Sequence, residues 1–143
     1  MTTKDYLSQA FTLSRLIKAK ESRIADLRDM QTRIGKASAG VKVQSRPKHD
    51  PMGDVTAMLL DLIKVYKKDC VRLLALQREI EAQINKVTQP IWHLILFERY
   101  VNLKAWEDVA ADNGYSLRAV HKIHSAVLAY IDDGRDIGFF PDS

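Results

Sequence analysis

The residues best suited to chemistry lie in the stretch GYSLRAVHKIH, Gly114 to His124. Leu117, Val120 and Ile123 recur at steps of three, which on a helix turns an apolar face inward. The other face carries Arg118, Ala119, His121, Lys122 and Ser125, with Ser116 at the helix start. Arg118 and Lys122 stand one helical turn apart. A guanidinium and an ammonium so placed suit guanine edges or phosphates, so double-stranded DNA is the expected ligand of this face.

Other chemistries are poorly supplied. His121 and His124 are close enough to share a metal ion, but no carboxylate or cysteine lies beside them at ligand spacing. No metal and no other cofactor is expected. His121 is expected to face DNA, and His124 to hydrogen-bond within the helical bundle. The neighbouring acids Glu107/Asp108 and Asp132/Asp133 point in different directions on a helix and make no acid–base pair. Cys70 has no histidine near it to activate a thiolate. Phosphate loops and nucleophile elbows are missing, so the chain does not read as an enzyme.

The elements that must hold this face are helices. At 143 residues the chain has material for one domain or two small ones. Tyr6, Ala10, Leu13, Ile17, Lys20, Ile24, Leu27, Gln31 and Ile34 alternate steps of four and three. So do Val55, Leu59, Leu62, Tyr66, Asp69, Leu73, Leu76, Ile80, Gln83 and Val87. The spacing predicts two coiled-coil helices, each roughly 45–50 Å long. Between them, residues 35–53 hold glycines and prolines with no period and read as a connector, with Asp54 as a cap for the second helix. Three shorter helices follow, over Ile91–Val101, Ala105–Asp112 and Ser116 to about Ile131, with the Asn113-Gly114 break before the last. The expected fold is therefore all-α: a long antiparallel coiled-coil hairpin over 1–89, a three-helix helix-turn-helix over 90–131, and a tail over 132–143. In the helix-turn-helix, Ala110 allows close approach, while Val109, Leu117, Val120 and Leu128 pin the last helix.

Charge is unevenly placed. Residues 1–90 hold 17 Lys/Arg and 10 Asp/Glu, whereas residues 91–143 hold 5 and 8. The DNA-reading segment thus sits in the acidic part, and its case rests on shape and local placement. The basic connector, with Lys36, Lys42, Arg46 and Lys48, is either a solvated loop or a phosphate-contacting arm. A lone cysteine, no apolar run of membrane length and no leader-like N-terminus point to a cytoplasmic setting without membrane contact.

The order of residues adds a likeness. Arg99-Tyr100, Leu103-Lys104, Trp106-Glu107-Asp108-Val109-Ala110, Gly114-Tyr115-Ser116, Arg118, Val120-His121, Ile123-His124 and Leu128 resemble region 4 of sigma-70 factors. They are closer still to sigma-region-4-like proteins of bacteriophages and integrative elements, late-gene regulators of the ArpU/RinA kind. The resemblance covers about the last third of the chain. It implies a transcription regulator that binds DNA, with RNA polymerase as a further partner. Lys104 is expected separately, from its charge, to contact a phosphate. Lys104 and Asn113 depart from the usual apolar residues of region 4. Two other readings stay open: a phage small terminase subunit binding packaging-site DNA as a ring, and a helical adaptor that binds protein.

Further expectations concern assembly. Phe11, Leu16, Leu60, Ile63, Val71 and Leu74 fall outside the seams and predict a homodimer or higher homo-oligomer. Ile137, Phe139 and Phe140 are expected to dock on the chain's own surface or to serve a partner. Folding back the two long helices sets Leu13 opposite Leu76, Ile17 opposite Leu73, Leu27 opposite Leu62, and Lys20 opposite Asp69. Either charge alone in an apolar seam would be costly, so their meeting would pin the register.

Overall fold

The computed structural model describes residues 2–39 and 50–133. Among these residues there are five α-helices and no strand: α1 (Thr3–Ala39), α2 (Pro51–Ile84), α3 (Pro90–Leu96), α4 (Trp106–Asp112) and α5 (Leu117–Asp132). A π-helical turn, Phe97–Val101, follows α3 directly. No helix among the described residues is long and apolar enough to cross a membrane.

The helix ends differ from expectation for local reasons. α1 runs through Gly35 to Ala39, so the chain leaves the helix later than the glycine suggests. α2 starts at Pro51, where a residue without an N–H is harmless. Its cap is Asp50 in place of Asp54: the Asp50 carboxylate accepts from the Gly53 N–H at 3.0 Å. Lys36 lies in the last turn of α1. Lys42, Arg46, Lys48 and the tail residues Ile137, Phe139 and Phe140 lie outside the described residues.

The chain divides into two compact units, Ser14–Arg72 and residues 1–13 together with 73–143. In the first, α1 and α2 run antiparallel around Ile24, Leu27, Val55 and Leu59, with Met30, Ile34, Leu62, Ile63 and Tyr66 packed against them. Lys20 and Asp69 form the expected ion pair. The layers around it, however, are displaced from the expected register. Tyr66 Oη donates to Glu21 at 2.8 Å and Gln31 donates to Thr56 at 3.1 Å. The expected register would have set residue 66 near residue 24 and residue 56 near residue 34. The difference is one layer, and it has a simple cause. In an antiparallel pair, a step of four on one helix stays level only when it faces a step of four on the other. The observed offset matches equal steps, and the long lysine stem reaches along one layer to its carboxylate.

In the second unit the first turns of α1 pack with the end of α2 and with the shorter helices. Tyr6, Leu7, Ala10, Ile80, Ile84, Val87, Leu96, Tyr100, Val127 and Ile131 form its largest core. Tyr6 Oη donates to Glu79 at 2.8 Å, and Thr3 bonds the Asp132 carboxylate near the end of α5. A second core joins α3, α4 and α5 through Ile95, Val109, Ala110 and Val120. Phe11 and Ile63, expected outside the seams, are half-buried on their cores, whereas Leu16, Leu60, Val71 and Leu74 are exposed.

The ion pair of the first unit is asymmetric: the Asp69 side chain is 7% exposed and that of Lys20 is 20%. Removing the lysine strands a buried carboxylate whose next cation, Arg72, stands 3.8 Å away. Removing the acid leaves an ammonium on a flexible stem that can swing to water. Lys20→Met should therefore lower unfolding stability by about 3 kcal/mol, and Asp69→Ala by less. Replacing both by leucine should recover most of the loss. Urea unfolding of the three variants checks the order, and equal losses for the two single changes would contradict it.

Candidate nucleic-acid interface

The turn between α4 and α5 is closed by backbone bonds that its sequence permits. Gly114 has φ +71°, with nothing within 4 Å of an added Cβ. Its glycine is therefore required by backbone conformation and not by crowding. The Tyr115 N–H donates to Ala110 O at 2.9 Å and the Gly114 N–H to Ala111 O at 3.4 Å, the bonding of a Schellman C-cap. Tyr115 packs on the Val109/Ala110 core, supplying the apolar contact that accompanies such caps. Asn113 Nδ2 adds a bond to Val109 O at 2.8 Å. Ser116 then caps α5, its side chain accepting from the Ala119 N–H at 3.1 Å.

This geometry decides which face of α5 is shown. Val120, His124, Val127 and Ile131 are buried. Arg118, His121, Lys122 and Ser125 are all exposed, Ser116 is exposed beside them, and Ala119 is half-buried at the edge. Their spacing puts Arg118, His121, Lys122 and Ser125 on one continuous strip over the first two turns. Leu117, expected to pin the helix, is 40% exposed because the first helical position lies ahead of the packed turn. Leu128 is half-buried against the larger core.

Lys104 is brought elsewhere. Its ammonium is bound by the carboxylates of Glu98 and Asp112, the latter at 2.9 Å. Those bonds, Glu98 first, hold its pKa above the usual lysine value. A phosphate would have to compete with two carboxylates for this lysine, so its main effect is to clamp the π turn to the end of α4. Asn102 joins the same clamp by donating to Glu98 at 2.8 Å.

No protein-family model matches the chain, and no curated protein or solved structure is found to be similar to it.

What sequence reasoning missed is the support beneath the strip. The Arg99 guanidinium lies 4.0 Å from the Phe11 ring centroid and 4.5 Å from that of Trp106, and Nη1 donates to Lys104 O at 2.8 Å. The Trp106 ring also meets His124 at 4.5 Å and His121 at 5.1 Å between centroids. The buried Tyr100 Oη and His124 Nε2 are 2.6 Å apart. Burial pushes the Tyr100 hydroxyl up to about 12, so it keeps its proton beside the imidazole. His124 in turn is pushed down from 6.5 to about 4, first by burial and then by Lys4, Arg99 and His121. It is neutral at neutral pH. The only signal in the sequence was the Arg99-Tyr100 pair itself, which local periodicity does not connect to residues 11, 106 or 124. Among the described residues no group of three His, Cys, Asp or Glu is placed to hold a metal ion.

The His124 shift has a pH consequence with a definite sign. The unfolded imidazole takes a proton below about pH 6.5, whereas the folded one resists until about pH 4. Stability from this group is therefore full above pH 6.5 and is lost as pH falls towards 4, by at most roughly 3 kcal/mol. Thermal melts between pH 7 and pH 4.5 should show the loss. His124→Gln, which keeps a hydrogen-bonding group for Tyr100 but does not titrate, should show a shallower slope. Identical slopes would exclude the buried imidazole as the cause.

Proposed function

We propose that the chain is a sequence-specific double-stranded DNA-binding protein and that α4 and α5 act as a helix-turn-helix, with the first two turns of α5 entering the major groove. The observation that carries this reading is the exposed strip Arg118, His121, Lys122 and Ser125 on a helix whose opposite face is buried. A groove-reading helix needs both parts: a rigid seat, and side chains that reach past the backbone to base edges. Arg118 is the base-reading residue, because a planar guanidinium can bond the two acceptors of guanine together. Lys122 serves phosphate or guanine. Ser116 Oγ accepts the cap bond and still has a hydroxyl proton for a phosphate oxygen. His121, held beside Trp106, and Ala119 shape the edge of the contact.

The resemblance of residues 99–128 to sigma region 4 fits a transcription regulator of a bacteriophage or mobile element, with RNA polymerase as a second partner. The exposed Leu16 and Leu74 fit self-association, which would match a two-fold DNA site. A small terminase subunit shares these parts but would assemble as a larger ring, and light scattering separates the two. One observation favours a protein-binding adaptor: Glu107 and Asp108 are exposed on α4, so the α5 strip is not set in a broad positive surface.

The test is a selection of duplexes from a random library, followed by binding measurements on the enriched site. Arg118→Ala should weaken that site by roughly 1–3 kcal/mol and relax the preference at one base pair. Lys122→Ala should weaken all duplexes more evenly, and Lys104→Ala should act through stability. If no duplex is enriched, the adaptor reading replaces this one. If a site is enriched but Arg118→Ala leaves it untouched, α5 is not the reading helix.

A further inference from the structure

One side of the Ser14–Arg72 unit carries a groove of about 350 Å³ between α1 and α2. Ile24, Ala25 and Ile63 give it an apolar floor, and Arg28 and Lys67 stand on its opposite rims. The one acid lining it, Glu21, accepts a hydrogen bond from Tyr66 at 2.8 Å. Arg28 and Lys67 are exposed, and among the described residues neither side chain forms an ion pair. Beyond Lys67 the outward face of α2 continues in the same character. Leu60 is 58% and Val71 69% exposed, with Lys64 among them and Lys68 on the same edge as the exposed Asp61. The outward face of α1 is different: apart from the exposed Leu16 it is mostly polar and mixed in sign, with Asp29 paired to Arg33 at 3.1 Å.

We propose that this groove docks an amphipathic helix of another protein, one whose apolar stripe is bordered by aspartate and glutamate. Two paired helices bury only their seam, and a third helix laid along the side covers the apolar floor. An apolar stripe on the incoming helix would take the exposed Ala25 and Leu60 and the half-buried Ile63 out of water. Its flanking acids would meet Arg28 on one rim and Lys67 with Lys64 on the other, and such complementarity selects the partner. A second copy of this chain is a poor occupant, because its own α2 would bring Lys64, Lys67 and Lys68 against the same basic rims. A nucleic acid would use the rims and leave the apolar floor wet. The inference stands apart from the DNA reading, since it uses no residue of α5.

The test uses the full chain and two labelled helical peptides. Both carry leucine at i, i+3, i+4 and i+7; one has glutamate beside the leucines and the other lysine at the same positions. Fluorescence anisotropy should show the acidic peptide binding with a Kd of about 1–100 µM, at least about tenfold tighter than the basic one. Arg28→Glu with Lys67→Glu should cost the acidic peptide about tenfold or more and bring the basic peptide closer. Ala25→Phe, which fills the floor from an exposed position, should block both. Circular dichroism melts of each variant show that the fold persists. The proposal is overturned if the acidic peptide fails to bind, or if the charge reversal leaves its affinity unchanged. It is equally overturned if Ala25→Phe dissociates a homodimer, or if charge reversal weakens duplex DNA while sparing the peptide. The first would make the groove a self-association surface, and the second a phosphate contact.

Discussion

Arg99 is the residue on which the arrangement of the short helices depends. Its guanidinium is held between Phe11 of α1 and Trp106 of α4, and it donates to the Lys104 carbonyl in the segment between the π turn and α4. Trp106 passes the contact on to His124 of α5, which Tyr100 bonds from the neighbouring position of the π turn. Stacking suits such a junction, because a guanidinium is weakly hydrated for a cation and gives up little by lying between rings. A lysine could supply the charge but not the two flat faces. The π turn has a part in this too. Its wider winding lets Arg99 and Tyr100 project to different neighbours while Leu96, one turn earlier, stays in the core.

The long helices were legible because heptad spacing is a local signal that survives in any partner arrangement. Their mutual register was not. Charge matching between Lys20 and Asp69 identified the right pair, yet a lysine stem spans a layer, so the pair tolerates more than one alignment. The rule that decided the alignment is geometric, equal steps facing equal steps, and it involves every layer at once. Apolar residues on both helices are similar enough that composition cannot choose between neighbouring layers. The α2 cap was missed for a related reason: two aspartates, Asp50 and Asp54, lie near the helix start, and Pro51 between them sets which one is outside the helix.

At the candidate interface, solvent exposure followed the helical period closely. Ser116, Arg118, His121, Lys122 and Ser125 are exposed because Val120, His124 and Val127 bury the opposite side of one amphipathic helix. Lys104 was harder to read because its environment comes from residues six before and eight after it, across a chain reversal that has no periodic pattern. The same reversal gathers Glu98 and Asp112 around one cation, so two of the acids in this stretch are engaged by Lys104.

The short α4 helix raises a problem that its own sequence does not solve. It has seven residues, no side-chain cap at Ala105, and too little length to be stable alone. Its direction is set instead by left-handed residues at both ends, Leu103 with φ +55° and Gly114 with φ +71°. Glycine takes this conformation freely, but leucine does so at a cost of roughly 1 kcal/mol. That cost is outweighed by position. The Leu103 side chain packs against the large core, and even partial burial of a leucine is worth about 1–2 kcal/mol. The strained residue therefore ties the entry of α4 to the main core, while the unstrained one leaves its exit free to turn into α5. The exposed strip of α5 inherits its placement from that unequal pair of turns, one anchored by packing and one permitted by the missing side chain.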